Sequence, residues 1–208
     1  AILTLHNYNL TGSSVLIEEL KSLVKENADV LPYSESNTSG TEGFKRDVAC
    51  IVRPITLDVI QELIKFAGSV VNTPNQFSLY PISSGKNWGY GSSMPSTVEE
   101  KVVLLDLFAL NDITYFDEEN GVISIQPGVT QSALFEYLSS KQTSYMVPVT
   151  GAGPTTSILS NALERGYGIT PIADHFTSVM SIKGFLADGS FYQSSLQCMS
   201  DMANGDNS

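Results

Sequence analysis

An α+β fold in two lobes is what the sequence predicts, and three patterns carry that reading. A strand, a helix and a strand follow one another over residues 48–82, short strands with tight turns follow residue 102, and an Asp-Gly step joins a last strand pair at residues 188–189. The 208 residues give room for two small lobes packed together, expected at about 1–101 and 102–208.

Each element has a local cause. Val15, Ile17, Leu20, Leu23 and Val24 recur at helical spacing after Ser13 and Ser14, two capping residues, so a helix is expected there. Residues 33–43, rich in Ser, Asn, Thr and Gly, read as a surface loop. The apolar run Val48 to Val52, ending at Pro54, predicts a short buried strand. Thr56 is expected to cap a helix with Val59, Ile60, Leu63, Ile64 and Ala67 inward, and Phe77 to Ile82 forms the next strand of a parallel crossover unit. Beyond it Val102 to Leu105, Ile113 to Phe116 and Gly121 to Gln126 are strands close in sequence, for which antiparallel pairing is expected. Thr130 caps a helix through Leu138, a further helix runs from Ile158 to Arg165, and Val179 to Leu186 with Phe191 to Gln193 closes the chain as a hairpin.

Composition removes several classes of function. Twenty-two acidic against 11 basic residues give a formal charge of −11, which repels nucleic-acid phosphates and anionic membranes. No apolar run reaches the 18 or so residues of a membrane-spanning helix. Cys50 and Cys198 stand far apart, arguing against a disulfide scaffold, and the acidic balance fits a cytoplasmic chain. His6 and His175 lack any His-Glu-x-x-His context, so no metal site is expected; the nucleophile elbow and the dinucleotide fingerprint are absent, and Gly85-Lys86 lacks the rest of a P-loop.

Two glycine-rich stretches remain. Residues 81–91, Pro-Ile-Ser-Ser-Gly-Lys-Asn-Trp-Gly-Tyr-Gly, run from a strand into a turn whose backbone amides can converge on a diphosphate, with Ser and Asn side chains as further donors. Taken alone the stretch reads equally as a tight loop of small residues. Residues 148–157 lead into a helix whose first amides also favour an anion, while Gly166 reads as that helix's C-cap.

These stretches, with Gln-Pro-Gly-Val-Thr at 126–130 and Asn-Ala-Leu-Glu-Arg-Gly-Tyr-Gly-Ile-Thr-Pro-Ile-Ala-Asp-His-Phe at 161–176, resemble the PCMH-type FAD-binding domain of the vanillyl-alcohol oxidase and p-cresol methylhydroxylase flavoproteins. The resemblance runs over residues 47–193 and implies FAD extended between two α+β lobes. It assigns cofactor contacts to Ile82, Ser83, Ser84, Gly85, Lys86, Asn87, Tyr90, Gly91, Pro148, Gly153, Ser157, Asn161, Gly166, Gly168 and Ile182.

The implied chemistry is hydride transfer from a phenol or other alcohol to the flavin, the protein orienting and the cofactor reacting. Tyr90 matches the tyrosine that binds the phenolate, and equally reads as a ring packed on the flavin edge or the core. Val149 stands where one branch places a basic aspartate after Val-Pro, and Asn87 where some relatives carry a flavin-linking histidine, so the FAD is expected to be noncovalent. The relatives continue into a substrate-binding cap domain, whereas this sequence stops at Ser208. The expectations are therefore part of a longer oxidoreductase, or a free-standing FAD-binding module that needs a partner subunit. An open flavin face would leave an apolar patch, which predicts self-association or a partner.

Overall fold

The computed structural model describes residues 10–33, 48–86, 101–168 and 174–194, with the side chains of 10–13 left aside. Helix α1 (Leu10–Val24) and strand β1 (Ala28–Leu31) lead to β2 (Val48–Pro54), α2 (Asp58–Ser69) and β3 (Ser78–Ile82). Then come β4 (Val102–Asp106), the 3-10 turn Leu107–Ala109, β5 (Ile113–Asp117), β6 (Val122–Ile125), α3 (Gln131–Ser140) and α4 (Ile158–Leu163). The 3-10 turn His175–Ser178 and the hairpin β7 (Lys183–Phe185) and β8 (Phe191–Gln193) end the described chain. Among the described residues no helix is long and apolar enough to cross a membrane.

One four-stranded sheet, in the order β1-β2-β4-β3, organises the N-terminal part. β4 pairs in parallel with β2 (Ile51 beside Leu104) and with β3 (Tyr80 beside Leu104), while β1 pairs antiparallel with β2. The antiparallel pairing expected for Val102 to Leu105 is therefore corrected: this strand is central to the first sheet. All five of its residues are buried, as a strand covered on both faces requires. Its alternation divides the packing. Val103 and Leu105, with Cys50 and Val52, meet Leu16, Leu20 and Val24 of α1 and Val59 and Leu63 of α2, whereas Ile51, Val102 and Leu104 face Tyr80 and Ile82 on the other side.

Helix α1 begins at Leu10, so Ser13 and Ser14 lie within it rather than at its cap. Its buried stripe is Leu16, Leu20 and Val24, spaced by four, and Val15 is half exposed. The first residue before α2 is Leu57, with no side-chain cap, so Thr56 does not play that part; Asp58 supplies the acidic first turn instead. Thr130 does cap α3, accepting from the Ala133 amide at 3.2 Å.

The second core gathers Val129, Leu134, Leu138 and Val147 against the antiparallel β5–β6 pair and Ile158. The closing hairpin turns at Asp188-Gly189 as expected, with Gly189 at φ 80°, though β7 is only three residues long. This hairpin reaches the N-terminal part, where Gln61 Nε2 donates to the Gly189 carbonyl at 2.8 Å.

Where the chain passes from one part to the other, Gly128 lies against the carbonyls of Phe108 and Leu110, and its amide donates to Leu110 O at 2.7 Å. A Cβ there would overlap main chain, which cannot swing aside. Gly128→Ala is expected to cost about 1–3 kcal/mol in urea unfolding. Gly68→Ala, in α2 with open space around the added methyl, is expected to stabilise by about 0.5–1 kcal/mol.

Candidate functional site

The loops that leave β2, β3 and β4 emerge at the same end of the sheet, because the three strands are parallel. This carboxyl edge is where open α/β sheets offer room for ligands. Here β3 runs into the turn 83–86, with Gly85 at φ 64°, a left-handed conformation that side chains resist. Beside this edge Arg53 donates to Asp106 Oδ2 through Nε (3.0 Å) and Nη2 (2.8 Å), and Asp106 Oδ1 accepts from the Phe108 amide.

The second glycine-rich stretch meets this turn directly. The Ser157 amide donates to Ser84 Oγ at 3.1 Å, and the hydroxyls of Ser83 and Ser160 share a hydrogen bond. Ser157 is fully buried; its hydroxyl donates to Pro127 O at 2.6 Å and accepts from the Ser160 amide at 3.2 Å. Gln131 shapes the loop before it, accepting from the Thr150 amide (3.1 Å) and donating to Gly153 O (3.0 Å). Gln131 carries no recognisable motif, and nothing in its sequence context marks it as the organiser of a loop some twenty residues away.

Of the sequence-expected contacts, Ser83, Ser84, Ser157 and Asn161 share this junction, and Gly85 and Lys86 sit in the turn beside it. Half-buried Pro148 and Gly153 belong to the adjoining stretch. Ile182 stands at the base of the β7–β8 hairpin, bonded to Ser194. Asn87, Tyr90 and Gly91 lie outside the described residues.

Two expectations about glycines and amides change. The amides of Ser157, Ile158 and Ser160 bond to Ser84, Val129 and Ser157, so the start of α4 does not offer them to an anion. The C-cap of α4 is Glu164 rather than Gly166, and the left-handed residue after it is Arg165 at φ 53°. Arg165 N–H donates to Ala162 O and Gly166 N–H to Asn161 O, the paired bonds that close a helix end. Gly166 is needed for a different reason: a Cβ there would overlap the Asn161 amide.

The residues nevertheless fit an anionic cofactor. A hydroxyl that accepts a hydrogen bond keeps its own proton to give, so Ser84 can still donate; the Ser83–Ser160 pair spends one proton and keeps one. Neither Gly85 nor Lys86 is bonded to another described residue, which leaves main-chain donors and an exposed ammonium at the turn. Two buried polar atoms without a partner among the described residues, Thr156 Oγ1 and His175 Nε2, lie in the segments that flank Ser157 and Asn161. Burial pushes the Cys50 thiol up to about 11, which disqualifies it as a nucleophile near neutral pH. No cluster of metal ligands exists among the described residues.

A family model described as an FAD binding domain matches residues 48–195. The 4-cresol dehydrogenase [hydroxylating] flavoprotein subunit of Pseudomonas putida is 26% identical over 90% of this chain and 33% of its own length. The 1'-carboxy-chondrochloren decarboxylase of Chondromyces crocatus is 38% identical over 53% of this chain and 20% of its own length. Among solved structures, p-cresol methylhydroxylase with substrate bound superposes with a TM-score of 0.78 at 23% identity, over 92% of this chain and 37% of that one. The 4-ethylphenol oxidase from Gulosibacter chungangensis, in its isoeugenol complex, gives 0.75 at 21% identity over 90% and 36%. The chain thus spans about a third or less of the length of these relatives.

Ser84→Ala removes the acceptor of a buried amide. It is expected to lower stability by about 1–3 kcal/mol in urea unfolding, with Ser84→Thr, which keeps the hydroxyl, losing less.

Proposed function

The chain belongs to this FAD-binding domain family, and on that premise we propose that it is the flavin-holding part of an oxidoreductase that takes a hydride from a phenol or another alcohol. The observation that carries the reading is the junction itself, where the 83–86 turn and the Ser157–Ser160 segment meet with donors to spare. FAD, when bound, supplies the two-electron acceptor that the side chains lack.

The protein's own part is to bind and orient. The bare Gly85 backbone lets a diphosphate approach, the Ser84 hydroxyl and the remaining Ser83–Ser160 proton donate to it, and Lys86 adds charge from the solvent side. Pro148, Gly153, Asn161, Gly166, Gly168 and Ile182 complete the set of contacts implied by the family pattern, together with Asn87, Tyr90 and Gly91. With Asn87 in place of a linking histidine, the FAD is held noncovalently. Tyr90 donates to a substrate phenolate. The names of the phenol-oxidising relatives support a small phenolic substrate, and the flavoprotein-subunit designation of one supports a partner subunit or a further domain over the flavin, with self-association as the other way to cover it. A cytoplasmic setting accords with the acidic charge.

Titration of the purified chain with FAD tests this. The expected outcome is a visible flavin spectrum that survives gel filtration, bleached by a para-substituted phenol without oxygen. Gly85→Val puts a β-branched residue at φ 64° and a side chain where phosphate must approach, so it is expected to weaken uptake by about 100-fold or more. A colourless chain that takes up no FAD refutes the proposal; uptake without bleaching refutes phenol oxidation and leaves cofactor binding standing.

A further inference from the structure

His175 is almost fully buried, and its surroundings fit its shape closely. Nδ1 lies 2.5 Å from Asn161 Oδ1, and because an amide oxygen only accepts, Nδ1 carries the hydrogen. The imidazole occupies the space of a Cβ at Gly168, whose added methyl would stand 2.5 Å from Nε2, just as the Asn161 amide occupies that of Gly166. Gly166 thus makes room for Asn161, and Gly168 for His175 together with the Val149 carbonyl, which the same methyl would also overlap. Asn161 follows Ser160, which is bonded to Ser83 at the head of the 83–86 turn.

We propose that His175 is a positioning residue of the FAD site: its neutral imidazole locks the 166–168 turn to α4, and protonation at Nε2 opens that lock. The inference rests on the flavoprotein reading above. In the neutral ring Nε2 is a bare acceptor; protonated, it becomes a buried cationic donor with no acceptor among the described residues, a far costlier state. Of the charged groups around it only Asp174 favours the cation, and its carboxylate is already engaged. Asp174, next on the same turn, is paired with Arg165 from the end of α4 at 3.0 Å, and Arg165 in turn lies over the Phe176 ring at 4.8 Å. Glu164 at the end of α4 is exposed, the 166–168 turn brings only the exposed Tyr167, and Val149 and Thr150 bring no titratable group.

The sign follows from the burial. Desolvation holds the imidazole's pKa below its ordinary 6.5, with the Asp174 charge opposing. The unfolded or unlocked chain takes up the proton first, so the lock contributes fully above pH 6.5 and loses its contribution as the pH falls below that value.

The test compares FAD Kd and Tm at pH 8 and pH 5 for the full chain, His175→Asn and His175→Phe, with circular dichroism confirming the fold at each pH. Asparagine places an amide N–H where Nδ1–H stands and does not titrate in this range; phenylalanine fills the space without a donor. The wild-type chain is expected to lose about tenfold in affinity between pH 8 and pH 5. His175→Asn stays within about threefold of it at pH 8 and is flat with pH, and His175→Phe is weaker by about fivefold to tenfold at both. A wild-type Kd that tightens on acidification, as an imidazolium facing a diphosphate would give, overturns the inference. So does an acid loss that persists in His175→Asn, or a His175→Phe that binds like wild type. A chain that takes up no FAD at either pH refutes the flavoprotein reading instead, and the melts then decide the lock: a Tm drop at pH 5 confined to the wild type upholds it, and an equal drop in His175→Asn overturns it.

Discussion

Ser157 holds together three parts of the chain that lie far apart in sequence, and the site depends on it. Its amide reaches Ser84 after β3, its hydroxyl reaches the Pro127 carbonyl before α3, and it starts the helix that carries Asn161. Three sequence blocks that look independent, around residues 81–91, 126–130 and 161–176, thus converge on one buried residue. A single hydroxyl can accept from one group and donate to another, and the amide adds a third link. Without all three partners a polar group would be left buried and unsatisfied, so the arrangement is fixed by hydrogen-bond accounting as much as by shape.

Elements whose cause is local were legible in the sequence. Thr130 caps α3, Asp188-Gly189 turns the last hairpin, and a helix begins at Ile158, because caps and turns are decided by residues two or three positions apart. Pairing was not legible for β4, since a run such as Val102 to Leu105 reads the same whether it joins a parallel sheet or a meander, and only strands twenty or more residues away choose. One position of α1 was misplaced for a related reason: Ile17, Leu20, Leu23 and Val24 do pack in the core, but Val15 and Leu16 are equally apolar, and burial of Leu16 in place of Val15 is set by the sheet beneath it.

The candidate site was legible as motif and illegible as mechanism. Gly166 carries the residue type of a helix cap, yet Arg165 takes the left-handed position and Gly166 serves the Asn161 amide. Both uses favour glycine, one through φ and the other through a missing Cβ, and the sequence cannot distinguish them. His175 is the same kind of case. Its partner stands fourteen positions earlier, and the reason for the fit is an absence of atoms at Gly168.

An acidic protein that holds an anionic cofactor has to find attraction without a general field of positive charge. Beside the junction, Arg53 is committed to Asp106 and Arg165 to Asp174, so two guanidinium groups that might have met phosphate are neutralised within the fold. What remains at the turn is mostly uncharged: main-chain amides, serine protons and one exposed lysine. Neutral donors fixed in direction act only at contact distance, so they discriminate by shape, and they are little affected by salt compared with a charged pair at the surface. They must also be in place before the ligand arrives, because a hydroxyl that had to be freed from another partner would gain little. The hydrogen bonds of buried Ser157 and Gln131 and of half-buried Asn161 supply that preorganisation, so the site rests on paired polar side chains as much as on the glycines that first draw attention to it.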